Sequence, residues 1–207
     1  MSDERLSKLF EEKAKAVSAV VSTVASLDEA LAYAVDICDK KQACQILVSG
    51  CELPLSAKGE ALCDTKQQKV MVAPGLAPES FAKLKGLAAE RGILCQDKGM
   101  REHLGGVDIA FTVADFGIAE TGTLVFDSAS EELRLSTMIA EFHLAVLPKS
   151  KIREKSFDLE DELVAMLSKN PSYTAFVTGA SRTADIERVL ALGVHGPLEL
   201  HILLLED

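Results

Sequence analysis

Short apolar runs alternate with helical patterns through most of this chain, and that alternation limits its fold more than any other feature. Lys69 to Ala73, Ile93 to Gln96, Val107 to Val113, Phe142 to Leu147 and Leu198 to Leu204 have the length and content of strands. Helical patterns over 78–91, 131–139 and 158–168 lie among them. Strands and helices in alternation predict an α/β fold, a mainly parallel sheet sandwiched by helices. Aromatic residues are only 5% and Trp is absent, so the core is built from Ala, Val, Leu and Ile, which suits strands covered on both faces. A chain of 207 residues buries roughly 70% of its unfolded surface and is read as one domain, 1–207. Its first forty residues form an N-terminal helical segment.

Within that segment, Leu6, Leu9, Phe10, Val17, Val20, Val21 and Val24 recur at three- and four-residue spacing. They predict one long amphipathic helix over 3–25. Ser26 and Glu29 form a capping box for a second helix reaching Asp39, with Leu31, Val35 and Cys38 inward. Residues 45–49 are predicted as the first strand, and 51–68 as an irregular connection. Pro78 suits a helix start and Gly92 the position past its end. Asp158 to Ser168 carries Leu163, Met166 and Leu167 as an apolar stripe, and Tyr173 to Val177 reads as a buried strand.

The net charge of −10 argues against nucleic acid, whose backbone requires clustered Lys and Arg. No segment approaches the ~20 apolar residues of a membrane helix. Met1-Ser2-Asp3-Glu4 runs directly into the first helix without a signal-peptide pattern, so a soluble, cytoplasmic protein is expected. Cys38, Cys44, Cys51, Cys63 and Cys95 contain no C-x-x-C pair, so they are read as reduced structural thiols rather than zinc or cluster ligands. Neither G-x-G-x-x-G nor a Walker lysine is present, and no cofactor is expected.

Three loops carry possible chemistry. After Tyr173–Val177 comes Thr178-Gly179-Ala180-Ser181-Arg182-Thr183, with a helical pattern beginning near Thr183. A strand turning through small residues into a helix start offers backbone N–H groups and a dipole end. Ser181, Thr183 and Arg182 add hydroxyls and a charge, which suits an anion. The competing reading of Arg182 is a surface ion pair with Asp185 or Glu187. The second loop holds Glu120-Thr121-Gly122-Thr123, where a carboxylate stands beside two hydroxyls. It serves as nucleophile, base or orienting acceptor, or the threonines simply satisfy a tight turn. The third is Gly193-Val194-His195-Gly196-Pro197, whose histidine titrates near neutral pH or bonds a neighbouring carbonyl. Both strand-end loops are expected at the carboxyl ends of the sheet, where open α/β sheets bind ligands. Glu141/His143 and Glu199/His201 share strand faces, but no third metal ligand is suggested.

Ile118-Ala119-Glu120-Thr121-Gly122-Thr123, Gly179 to Glu187 and Gly193 to Pro197, in this order and spacing, resemble the lactate utilisation protein C family, also called the LUD domain. The resemblance covers the C-terminal half; the first hundred residues match in layout only. Ala180 stands where the family often has proline. The resemblance implies a fold similar to the sugar-phosphate isomerase and CoA-transferase superfamily. It also implies a part in oxidising L-lactate to pyruvate beside iron–sulfur partner subunits. Analogy to CoA transferases points to Glu120 as a reactive carboxylate. The site so expected has Glu120 and His195 as catalytic groups. Thr121, Gly122, Thr123, Gly179, Ser181, Arg182 and Thr183 would bind a small anionic metabolite. The alternatives are a non-catalytic, metabolite-sensing scaffold and an independent isomerase or acyl-transfer enzyme acting on a phosphorylated or CoA-linked substrate.

Overall fold

A computed structural model describes residues 3–41, 68–103, 106–183, 191–192 and 196–207. Along the chain, α1 (Asp3–Ala16) leads into β1 (Ala19–Val24) and α2 (Leu27–Lys40). Then come β2 (Val70–Val72), α3 (Pro78–Glu90), β3 (Leu94–Gln96), β4 (Val107–Val113), β5 (Phe116–Ile118) and β6 (Thr123–Asp127). They are followed by α4 (Glu131–Ile139), β7 (Ala140–Pro148), β8 (Ile152–Arg153), α5 (Glu160–Leu167) and β9 (Thr174–Val177). Two short strands, β10 (Arg182–Thr183) and β11 (Ala191–Leu192), precede β12 (Glu199–Leu205).

Six strands form a wholly parallel sheet in the order β1-β12-β7-β4-β2-β3. Every residue of β4 except the last is buried, as are the first eight residues of β7, which follows from cover on both faces. On one face α2 and α3 pack Leu31, Val35, Cys38 and Leu84 against Ile109, Phe111, Leu144 and Val146. The opposite face receives Phe10 and Ala14 of α1 against Ala145, Leu147, Ile202 and Leu204. Leu135 and Ile139 of α4 cover the β2–β4 side of that layer. A second sheet, β8-β5-β6-β9, mostly antiparallel, completes the cover through Leu124, Phe126 and Ile152. The helical cover on both faces was legible; this small sheet was not anticipated.

The long N-terminal helix is corrected. α1 stops at Ala16, Ser18 takes a left-handed φ of 68°, and Ala19–Val24 pairs with Leu200–Leu205 as an edge strand. The β-branched residues Val20, Val21, Thr23 and Val24 satisfy a three-to-four spacing by coincidence and prefer the pleated ladder. The Ser26 cap holds: its hydroxyl accepts from Glu29 N–H, and Glu29 accepts from Ala25 N–H. Tyr173–Val177 is also corrected. β9 is an edge strand, and Tyr173 and Phe176 are more than half exposed. Leu167 faces solvent, whereas Met166 is buried. The lysine-rich segment Lys149–Lys155 contains β8, with Ile152 buried. The strand expected at 45–49, most of the 51–68 connection, and Cys44, Cys51 and Cys63 lie outside the described residues. Cys38 and Cys95 are free and buried, and burial pushes their thiols up to about 12 and about 11.

Candidate functional site

Two of the three loops converge on the junction between α1 and β1. Gly122 (φ 65°) lies against the backbone of Lys13 and Ala14, and Gly179 (φ 73°) against Val17. A Cβ at either position would overlap that backbone, so the close approach and the positive φ both demand glycine. A chain of hydroxyls joins the loops: Thr121 Oγ1 lies 2.7 Å from Thr123 Oγ1, which lies 2.7 Å from Thr178 Oγ1. Three hydroxyls carry three protons and these two bonds use two, so one O–H remains to donate elsewhere. Thr121 and Thr178, the ends of the chain, are exposed, while Thr123 is buried.

Glu120 is exposed and tied to the segment after β8. Its N–H donates to the Glu154 carbonyl (3.0 Å), and its Oε1 accepts from Ser156 N–H (3.2 Å). Ser181 N–H donates to the Pro197 carbonyl (3.0 Å), and Gly196 sits against the Ser181 side chain. The third loop therefore reaches the first through Gly196 and Pro197. His195 itself lies outside the described residues.

Arg182 and Thr183 pair antiparallel with Leu192 and Ala191; the helical pattern expected from about Thr183 runs through residues 184–190, which lie outside the described residues. The Gly179 turn meets the carbonyl end of α1, which Lys13 and Lys15 accompany in the last turn. Arg182 is exposed. One expectation about this region changes: the loops lie at the opposite edge of the main sheet from that expected. Val17 precedes β1 and Pro197 precedes β12, so the convergence is at the strands' amino ends, although Thr178 follows the carboxyl end of β9.

Nearby polar groups escaped the sequence reading. Thr178, the hydroxyl that links the loops, was signalled only by its place before Gly179. Lys41, at the end of α2, is buried and paired with Asp108 (2.8 Å) and with Glu141. Burial by itself would lower the Lys41 pKa, but the hydrogen bonds to both carboxylates prevail and raise it. Asp108 also accepts Val70 N–H at 2.8 Å. Glu141 sits one residue into β7, and its carbonyl accepts Leu198 N–H, next to the Pro197 that holds Ser181. Glu199 and His201 share a face as expected and bond at 2.8 Å; the Tyr33 hydroxyl meets the other ring nitrogen at 2.9 Å. Among the described residues no group of three or more His, Cys, Asp or Glu is placed to hold a metal ion.

The sequence matches the LUD domain family over residues 7–205. The chain belongs to the LUD domain family. It is 30% identical to Uncharacterized protein YkgG of Escherichia coli K12, over 80% of this chain and 77% of that protein. Against Lactate utilization protein C of Halalkalibacterium halodurans it is 35% identical, over 48% of this chain and 45% of the relative. The chain thus spans about half the length of several relatives that it matches. A DUF162 family protein from Deinococcus radiodurans shares the LUD fold seen here, with a TM-score of 0.63, 18% identity and 99% of both chains covered. No helix among the described residues of this LUD domain is long and apolar enough to cross a membrane.

Proposed function

We propose that this LUD domain takes part in lactate utilisation as a subunit of a system that oxidises L-lactate to pyruvate. It binds a small anionic metabolite where the Glu120 turn meets the Ser181–Arg182 turn. The observation that carries the reading is the hydroxyl chain from Thr121 through Thr123 to Thr178. It joins two turns of suitable chemistry into one surface with an O–H to spare. The name Lactate utilization protein C on several bacterial relatives supports the metabolic setting.

In this reading the Arg182 guanidinium holds the carboxylate, and the threonine and Ser181 hydroxyls orient it. Oxidation of a 2-hydroxy acid to a 2-oxo acid releases two protons and two electrons. Glu120 or His195 would accept the hydroxyl proton, and the C2 hydrogen would leave with both electrons to an acceptor held by the iron–sulfur partner subunits. Ser156 N–H orients the Glu120 carboxylate through one of its oxygens.

The test is thermal-shift titration of the purified chain with L-lactate, pyruvate, a sugar phosphate and CoA. Binding to the folded state raises the melting temperature by mass action, and Arg182→Ala is expected to remove the rise given by lactate or pyruvate. No shift with any anion would sink the site. Turnover of the sugar phosphate or a CoA ester by the chain alone would favour the isomerase or acyl-transfer alternative. If Glu120→Gln leaves lactate-dependent electron transfer by the assembled system intact, Glu120 is not its base.

A further inference from the structure

The described residues leave eight large hydrophobic side chains exposed, and five of them, Phe157, Val164, Leu167, Tyr173 and Phe176, fall within residues 157–176. Phe157 is 84% exposed, Val164 57% and Leu167 60%. With Ser156, Glu160 and Leu163 these three line an open groove of 360 Å³ beside α5. The packing explains why they are left out. Only Leu159 and Leu163 of this segment join the cluster over Ile118 and Val125 on the small sheet, and Met166 is buried. One side of a two-turn helix is thereby satisfied, and a second apolar side remains in water. Contiguous apolar surface of this kind marks an interaction site more often than scattered single residues do.

Charge narrows the occupant. Residues 154–168 contain five carboxylates, Glu154, Asp158, Glu160, Asp161 and Glu162, against one lysine, Lys155. Arg153 is the ion-pair partner of Glu162, and Asp158 accepts Lys155 N–H; Glu160 and Asp161 stay exposed on the rim. Two copies of this chain meeting through the groove would bring these carboxylates together, which disfavours self-association. An apolar floor with an acidic rim matches a helix that carries apolar anchors on one face and Lys or Arg beside them.

We infer that the groove formed by Phe157, Val164 and Leu167 docks a basic amphipathic helix of another protein. Seated there, the helix lies beside the Glu120 turn, because Ser156 both lines the groove and donates its N–H to Glu120. The inference does not depend on what the Glu120 turn binds.

The probe is a fluorescein-labelled Leu/Lys peptide of ~18 residues, long enough for five helical turns, read by anisotropy against the full chain. Controls are the same peptide with Ala for Leu and with Glu for Lys. Leu167→Asp and Val164→Asp are placed on exposed positions, and circular dichroism checks that both keep the fold. Each adds a negative charge, so binding through the overall acidic field would strengthen. Binding in the groove instead weakens by about tenfold or more, as for loss of a central apolar anchor. Glu160→Lys with Asp161→Lys is expected to shift preference to the Leu/Glu peptide. The inference is overturned if the wild-type chain does not bind the Leu/Lys peptide, if the Ala/Lys peptide binds as well, or if Leu167→Asp leaves affinity unchanged or raised. A concentration-dependent dimer in sedimentation, lost in Val164→Asp, would make a second copy the occupant and equally overturn it.

Discussion

His143 is wholly buried in β7, its ring 2.8 Å from Thr112 Oγ1 and 5.7 Å, centroid to centroid, from Phe126. Burial lowers its pKa from 6.5 to about 4. Between those values the unfolded chain binds a proton that the folded chain refuses. Stability is therefore lost as pH falls through this window, by on the order of 3 kcal/mol at its lower end. Urea unfolding at about pH 7 and pH 4.5 should show this slope, and His143→Gln should flatten it. If both proteins respond alike, His143 is not the group responsible. Gly122 and Gly179 make a second demand at this scale. Gly122→Ala should cost more than about 2 kcal/mol, because left-handed backbone and overlap with α1 act together. A melting temperature within a degree or so of wild type would show that the turn relaxes freely.

At the scale of elements, local rules worked where an element's causes lie within it. Ser26 caps α2 through the Glu29 N–H, so Ser26→Ala should destabilise by about 1 kcal/mol in chemical denaturation. Gly86 stands exposed inside α3 with open space around a Cβ. Gly86→Ala should therefore stabilise by about 0.5–1 kcal/mol, and a fall in stability would mean an unseen steric conflict. Local rules failed where the cause is distant. Val20, Val21 and Val24 continue a helical spacing, yet Ala19 pairs with Leu200 and Val24 with Leu205. A partner some 180 positions away leaves no mark on local periodicity. Arg182–Thr183 likewise joins a ladder with Ala191–Leu192, a pairing that the local pattern does not announce. β9 has strand composition but ends at a sheet edge, where apolar side chains stay exposed.

For the molecule as a whole, the Lys41–Asp108–Glu141 cluster ties the end of α2 to two central strands. Removing one member of a buried ion group leaves uncompensated charge. Lys41→Met should thus cost about 3–5 kcal/mol near neutral pH, measured by denaturant unfolding. A loss below about 1 kcal/mol would show that the two carboxylates find other partners. Nothing distinguishes Lys41 from Lys40 in the sequence. Only packing makes one a surface partner of Asp36 and the other a buried counter-ion.

By itself the sequence determined the α/β class, most strand and helix positions, the Ser26 cap and the residues of the Glu120 and Gly179 turns. Each of these follows from side-chain period, capping or backbone permissiveness within a few residues. Tertiary structure alone decided that β1 is a strand and that a small second sheet covers one face. It also placed both turns at the amino edge of the main sheet, against α1, with Thr178 as the link between them. Those outcomes depend on which distant strand lies alongside, and a linear pattern records a residue's own preferences but not its neighbour in space.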